Sequence, residues 1–381
     1  MKSGDVSGSA DTKVFFAAVA IMVGTCIGAG VLGIPYVAAQ AGFFVALAYI
    51  FLLGLILLIT NLYLGEISLR TKGDHQLAGY AEKYLGRKGG WLMEFAHSFG
   101  IYAAIVAYLV GVGGSISFLI YGDFSKMILF GVLFGFIMSG FLWRGLKGLK
   151  RFEKIGVTIV LILLVAIFFV FIGDVNYDNL KTSNLSKVFL PFGVVLFALL
   201  SFSAVPEIEV VLHKREHLMK KVLFTSTIIS VLFYILFAFI VVGFKGIETP
   251  EIATLALGNL FVFLGIFTMF TSYLALGNAL EQNLICDEKM SKFNAWFISA
   301  IVPIGVFLLT QLTDFFSFTK ILSIGGVVSG GLTAVLILLM VKNAKKKSER
   351  KPEYSFFVNN WIIWFLIFIF VLGIVVELGG I

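Results

Sequence analysis

Eleven stretches of nearly unbroken apolar sequence, each about as long as a bilayer-spanning helix, govern what this chain can fold into. A helix needs roughly 20 apolar residues to cross the hydrocarbon core of a membrane. Runs that meet this requirement cover residues 14–40, 43–65, 91–121, 127–143, 155–173, 188–212, 222–243, 252–285, 293–311, 321–341 and 358–378. With 59% of its 381 residues hydrophobic, only 13% charged and a mean hydropathy of +1.01, the chain carries more apolar surface than one soluble core could hide. Lipid is therefore its expected solvent. In hydrocarbon only helices and closed barrels satisfy every backbone group, so runs of this length predict an all-α integral membrane protein with about eleven transmembrane helices.

The net charge of +7 points to nucleic acid only if the basic residues cluster without regard to the spans. They do not. All of the 29 Lys and Arg except Lys126, Lys181, Lys187, Lys245 and Lys320 fall in the amino-terminal tail and in alternate connectors. Retention of basic residues on the cytoplasmic side sets orientation, which puts the amino terminus in the cytoplasm and the carboxyl terminus outside, in a multi-pass protein of the cell membrane. The run 342–351 then reads as a solvated face with at most a weak contact to anionic lipid. Nucleic acid is not an expected partner, lipid is, and the sequence does not state the oligomeric state. The first thirteen residues are polar and lack the pattern of a cleaved signal, so the first span is expected to remain. Cys26 and Cys286 form no CxxC pair and read as packing residues.

Three motifs look like chemistry and are rejected by context. Gly28, Gly30 and Gly33 form a literal GxGxxG, yet no strand precedes them and no acidic residue stands near Leu53, where a ribose ligand is required. Glu94 and His97 make a single ExxH, whereas a carboxylate-bridged metal site needs a second copy on a facing helix. Asn184 and Ser186 spell a glycosylation sequon that receives no role. Without HExxH, GxSxG or paired carboxylates at membrane depth, an intramembrane enzyme is the remote alternative, and no cofactor is expected. Close spacings of small residues, such as Gly24 with Gly28, Gly131 with Gly135 and Gly326 with Gly330, read first as helix-packing seams.

Two spans are interrupted. The first contains Gly24, Gly28, Gly30, Gly33 and Pro35; an interior Gly costs about 0.5–1 kcal/mol and an interior Pro roughly 3 kcal/mol in a helix. The sixth contains Ser201, Phe202, Ser203, Pro206 and Glu207. Open backbone is tolerated in a membrane only where protein, water or ligand satisfies it, so a break is a pointer to a binding site. A packing seam with a kink at Pro35 is the plainer reading. Interruptions five spans apart are what an inverted repeat of five helices gives: residues 14–173, then 188–341, after a tail of 1–13 and before an extra helix in 358–381. The amide end of an opened half-helix favours a carboxylate, and freed carbonyls accept an ammonium or a cation. An amino acid offers both ends. On the eighth span Thr268, Thr271 and Ser272 supply three hydroxyls in five residues, either for a cation or simply bonded back to the preceding turn.

The strings GTCIGAGVLGIPY, LGEISLRTKG and FALLSFSAVPEI resemble amino acid permeases of the amino acid/auxin permease group, the aromatic amino acid permeases above all, within the amino acid, polyamine and organocation superfamily. The resemblance implies the leucine-transporter type of fold, with helices one and six unwound around the substrate. It implies that amides near Gly28, Ala29 and Gly30, with Thr25 beside them, hold the carboxylate, and that carbonyls around Ser201, Phe202 and Ser203 meet the ammonium. In sodium-coupled relatives a cation lies between helices one and eight, which maps onto the carbonyls of Gly24 and Ile27 and the hydroxyls of Thr268, Thr271 and Ser272. Sodium is thus the expected coupling ion. Proton-coupled relatives carry a lysine in the middle of helix five; here only Lys154 stands at its edge. Glu207 is a candidate gate or proton carrier, or else a cap on the second half-helix. Of Tyr102 and Tyr108 on the third span, Tyr102 is placed in the substrate set, and Glu66 is expected to face water. The expected function is import of an amino acid by alternating access, with a proton-coupled symporter or an uncoupled exchanger on the same scaffold as the alternative.

Overall fold

The computed structural model describes residues 4–28, 30–73, 75–144, 162, 165–286, 289–313 and 317–379. The fifth expected span, 155–173, lies largely outside them; its described end is a short apolar helix, Val165–Asp174. The first apolar run is two helices, α1 (Gly4–Cys26) and α2 (Gly30–Ala41), bent by 55° across the break. The second run forms α3 (Phe43–Arg70), after which the short helix α4 (Leu77–Leu85) leads into α5 (Arg87–Tyr121) and α6 (Met127–Arg144). The sixth is again two helices, α7 (Leu190–Leu199) and α8 (Ala204–Val211). Then follow α9 (Met219–Lys245), α10 (Asn259–Cys286), α11 (Lys292–Leu312), α12 (Phe318–Lys346) and α13 (Asn360–Gly379). Among the described residues nine helices are long and apolar enough to cross a bilayer, and the bent α1–α2 pair makes a tenth. The all-α fold read from the sequence is thus present. Near the middle of α11 and α12 the winding widens to a π-turn, at Phe297–Ile301 and Gly326–Gly331.

Lipid tails are as apolar as leucine, so helices in a membrane associate through close packing more than through burial of apolar area. Small residues therefore decide which helices touch. A Cβ added at Gly30 would lie 2.5 Å from the Cα of Ala198, so α2 and α7 meet backbone to backbone. Similarly, Gly135 presses on Ile304 of α11. The result is two groups of helices. α1, α2, α3, α7, α8 and α9 pack on one another, α5 packs on α6, α10 and α11, and α12 touches both groups. α13 leans on α12 with most of its surface exposed to the outside, Trp361, Phe365 and Phe368 included.

At the face that carries the basic connectors, Glu66 is fully buried, not water-facing as its place beside basic residues suggests. Arg70 reaches it at 2.8 Å and Lys345 at 3.2 Å, while the Ser355 hydroxyl and the Phe356 amide also donate to it. The connector between α12 and α13 folds back over the ends of α3 and α4 to make these contacts. It is further held by Lys83 and the Lys72 amide on Glu349 and by the Tyr354 hydroxyl on the Leu62 carbonyl. The opposite face is closed around the end of α2. Gln40 bonds the Ile247 carbonyl and accepts from Lys187, and the Asn184 amide donates to the Ala41 carbonyl.

Candidate functional site

Both expected interruptions are present, and each is local. α1 stops at Cys26; the Ile27 amide still reaches the Val23 carbonyl at 2.9 Å, but the Gly28 amide turns to Cys26. Ala29 lies outside the described residues. α2 resumes at Gly30 and runs straight through Pro35, so the glycines and not the proline open this span. In the sixth span α7 ends at Leu199 and Leu200 is extended, with φ −64° and ψ 125°. The carbonyls of Ser201 and Phe202 then accept from the amides of Ala204 and Val205, which start α8. Pro206 sits in that first turn, where a missing N–H breaks no helical bond.

A cavity joins the two breaks. Thr25, Gly28 and Gly30 line it from the first, Phe202 and Ser203 from the second. α5 contributes the wall opposite, with Tyr108 at the level of Gly28 and His97 eleven residues nearer the basic face. At 1.5 Å per residue those two are about 16 Å apart, longer than an amino acid. Leu77 of α4 also lines the cavity, so the space extends from the breaks toward the basic face.

The groups singled out from sequence are distributed unequally. Thr25, Gly28, Gly30, Phe202 and Ser203 share the cavity, but Ser201 is not on its lining. Buried instead behind the break, the Ser201 hydroxyl accepts from the Asn61 side chain at 3.1 Å, and the other end of that amide, Asn61 Oδ1, has no partner among the described residues. Tyr102 also points elsewhere, its hydroxyl donating to the Ile298 carbonyl of α11 at 2.5 Å. Tyr108 takes the cavity position: a Cβ at Gly28 would come within 3.3 Å of its hydroxyl. The signal was in the sequence, because Gly100, Ala104 and Tyr108 stand four residues apart on one helical face and Tyr102 does not. The Glu94–His97 pair diverges, Glu94 accepting from Ser98 while His97 turns into the cavity.

On α10 the hydroxyl of Thr268 donates to Gly265 at 2.8 Å and that of Thr271 to Thr268 at 2.9 Å. Backbonding therefore occupies both protons, although each oxygen keeps lone pairs for other use. Leu276 lines the cavity, and Ser272, one turn away, shares its helical face. Glu207 is exposed in the first turn of α8, where the amide end of the half-helix favours an anion. Glu209, two residues on, accepts from the hydroxyls of Ser68 and Tyr80 and so ties α8 to α3 and α4.

Residues 11–377 match the model of the tryptophan/tyrosine permease family. Tyrosine-specific transport system 1 of Haemophilus influenzae is 25% identical over 173 residues, which are 45% of this chain and 42% of that protein. Glutamine transporter 2 of Aliivibrio fischeri is 25% identical over 373 residues, 89% of this chain and 92% of that protein. A second tyrosine-specific system of H. influenzae is 30% identical over 191 residues, 46% of its length. The matched part thus spans less than half of either tyrosine system and nearly all of the glutamine transporter.

Proposed function

The chain belongs to the tryptophan/tyrosine permease family, and from that premise we propose that it imports a neutral amino acid by alternating access, driven by sodium. The observation that carries this reading is the single cavity lined by both helix breaks. Amides at Gly28, Ala29 and Gly30, at the positive end of α2, receive the substrate carboxylate beside the Thr25 hydroxyl. Carbonyls of Ser201, Phe202 and Ser203 receive the ammonium. Tyr108 closes over the carboxylate end. The cavity lining holds no Asp, Glu, Lys or Arg, which suits a substrate whose side chain is uncharged. Tyrosine and glutamine, the substrates in the relatives' names, both meet that description.

Sodium is assigned to the carbonyls of Gly24 and Ile27 with the oxygens of Thr268, Thr271 and Ser272, neutral groups of the kind that replace a hydration shell. The basic face is the cytoplasmic one, so the cavity in this conformation faces the release side. Movement of the α5, α6, α10 and α11 group against the other helices would expose the breaks to the opposite face. Proton coupling is the second reading, favoured by His97 on the cavity wall, with Glu207 as gate. Flux of labelled tyrosine and glutamine into liposomes tests all of this. Uptake that accelerates with an inward sodium gradient supports the assignment; acceleration only by a pH gradient selects the second reading; gradient-independent flux makes the protein an exchanger.

A further inference from the structure

One side chain outside the cavity touches both breaks. Tyr234 of α9 is fully buried, and its hydroxyl lies 2.6 Å from the carbonyl oxygen of Cys26 and 2.8 Å from that of Ala198. Cys26 is the last residue of α1, and Ala198 is the next to last of α7. In an unbroken helix each carbonyl would accept an amide four residues on. Here those amides belong to other half-helices, and the phenol stands in for both. The same two segments are pressed together elsewhere, Gly30 against Ala198 and the Cys26 thiol 3.8 Å from the Leu199 carbonyl. Tyr234 is not on the cavity lining, so it reaches the breaks from behind.

A phenol has one hydrogen and two acceptors face it. When it donates to one carbonyl the other is left short, so the contact is an exchange between two helix ends and not a permanent bond to either. We propose that Tyr234 is a positioning residue for substrate binding: its hydroxyl sets the spacing between the first and second breaks at which they grip the two ends of one zwitterion, and its single proton allows α1 to part from α7 during the cycle. The inference rests on the reading of the cavity as the substrate site. Tyr273 of α10 supplies the control, since it is equally buried and its hydroxyl has no partner among the described residues.

The test uses the purified full-length chain and equilibrium binding of radiolabelled tyrosine and glutamine. Tyr234→Phe raises Kd by about tenfold, as expected for a lost hydrogen bond between the gripping elements. Its melting temperature without ligand, and its uptake rate at saturating substrate, shift no more than those of Tyr273→Phe, which binds like the wild type. If phenylalanine leaves the protein unfolded, 4-fluorophenylalanine at position 234 fills the space without restoring a donor and is expected to give the same rise. Wild-type affinity in the Tyr234 variants overturns the proposal, as does an equal loss in Tyr273→Phe, which would make the effect one of core packing. A wild-type protein that binds neither amino acid would remove the substrate reading itself, and this inference with it.

Discussion

Gly28 faces a tyrosine hydroxyl across the opening of a helix, and a branched side chain there would occupy the space on which the breaks converge. Gly28→Leu is accordingly expected to abolish amino acid binding in a thermal-shift assay while leaving the unliganded protein folded; retained affinity would contradict a carboxylate site at this break. Thr271→Ala combined with Ser272→Ala removes two oxygens from the sodium assignment, so the sodium response of substrate binding should fall sharply, and an unchanged response would remove that site. Glu66 acts through stability instead. Taking away a buried carboxylate strands Arg70 and Lys345, an imbalance worth about 3–5 kcal/mol, so Glu66→Ala should lower the melting temperature substantially without a specific effect on Kd. The two breaks were legible in the sequence because Gly and Ser-Pro patterns weaken a helix wherever they occur. Tyr234 and Glu66 were not. A tyrosine inside the run VLFYILFAF reads as aromatic packing, and its carbonyl partners belong to segments 36 and 208 residues away. Glu66 reads as an end-of-helix acid, and only the fold brings Lys345 to it.

The elements follow the same logic on a larger scale. Hydropathy alone located the spans, with bounds within a few residues for most of them, but it extended the eighth to residue 252, where the chain forms a short 3-10 turn, Ala253–Ala256, before α10 begins. Apolar side chains at the mouth of a span look the same to hydropathy whether they are helical or looped. Contact between α2 and α7 depends on the absence of a side chain at Gly30. Gly30→Ala should therefore push the half-helices apart and reduce the yield of folded protein far more than Gly140→Ala, where nothing lies within 4 Å. The connector that folds over α3 and α4 is held partly by charge. The Lys83 ammonium, and after it the Lys72 amide, hold the Glu349 carboxyl below the usual carboxylate range. A depressed native pKa stabilises above the ordinary value and loses that contribution as the pH falls through the depressed one. Hydrogen-exchange protection of residues 347–358 should therefore drop below about pH 4, and Glu349→Gln should show the lower protection already at neutral pH.

For the molecule as a whole, the direction of the cavity is the main statement. Thr25 is exposed within it, so a cysteine placed there should react with a membrane-impermeant thiol reagent from the side bearing Lys342 and Lys351, over the background of Cys26 and Cys286, and a bound amino acid should slow the reaction. Labelling solely from the other side would reverse the assigned orientation. The wall of that cavity on α12 includes Ser329 and Gly330, inside the π-turn Gly326–Gly331, and Lys345 lies further along the same helix. A widened turn holds one residue more than regular winding, so its length sets the rotational phase of everything downstream. Deleting one residue of the turn would restore ordinary winding and swing the remainder of α12 by about 100°. Lys345 would then face away from Glu66, and the partner of the buried acid would be lost through an edit made at the level of the substrate.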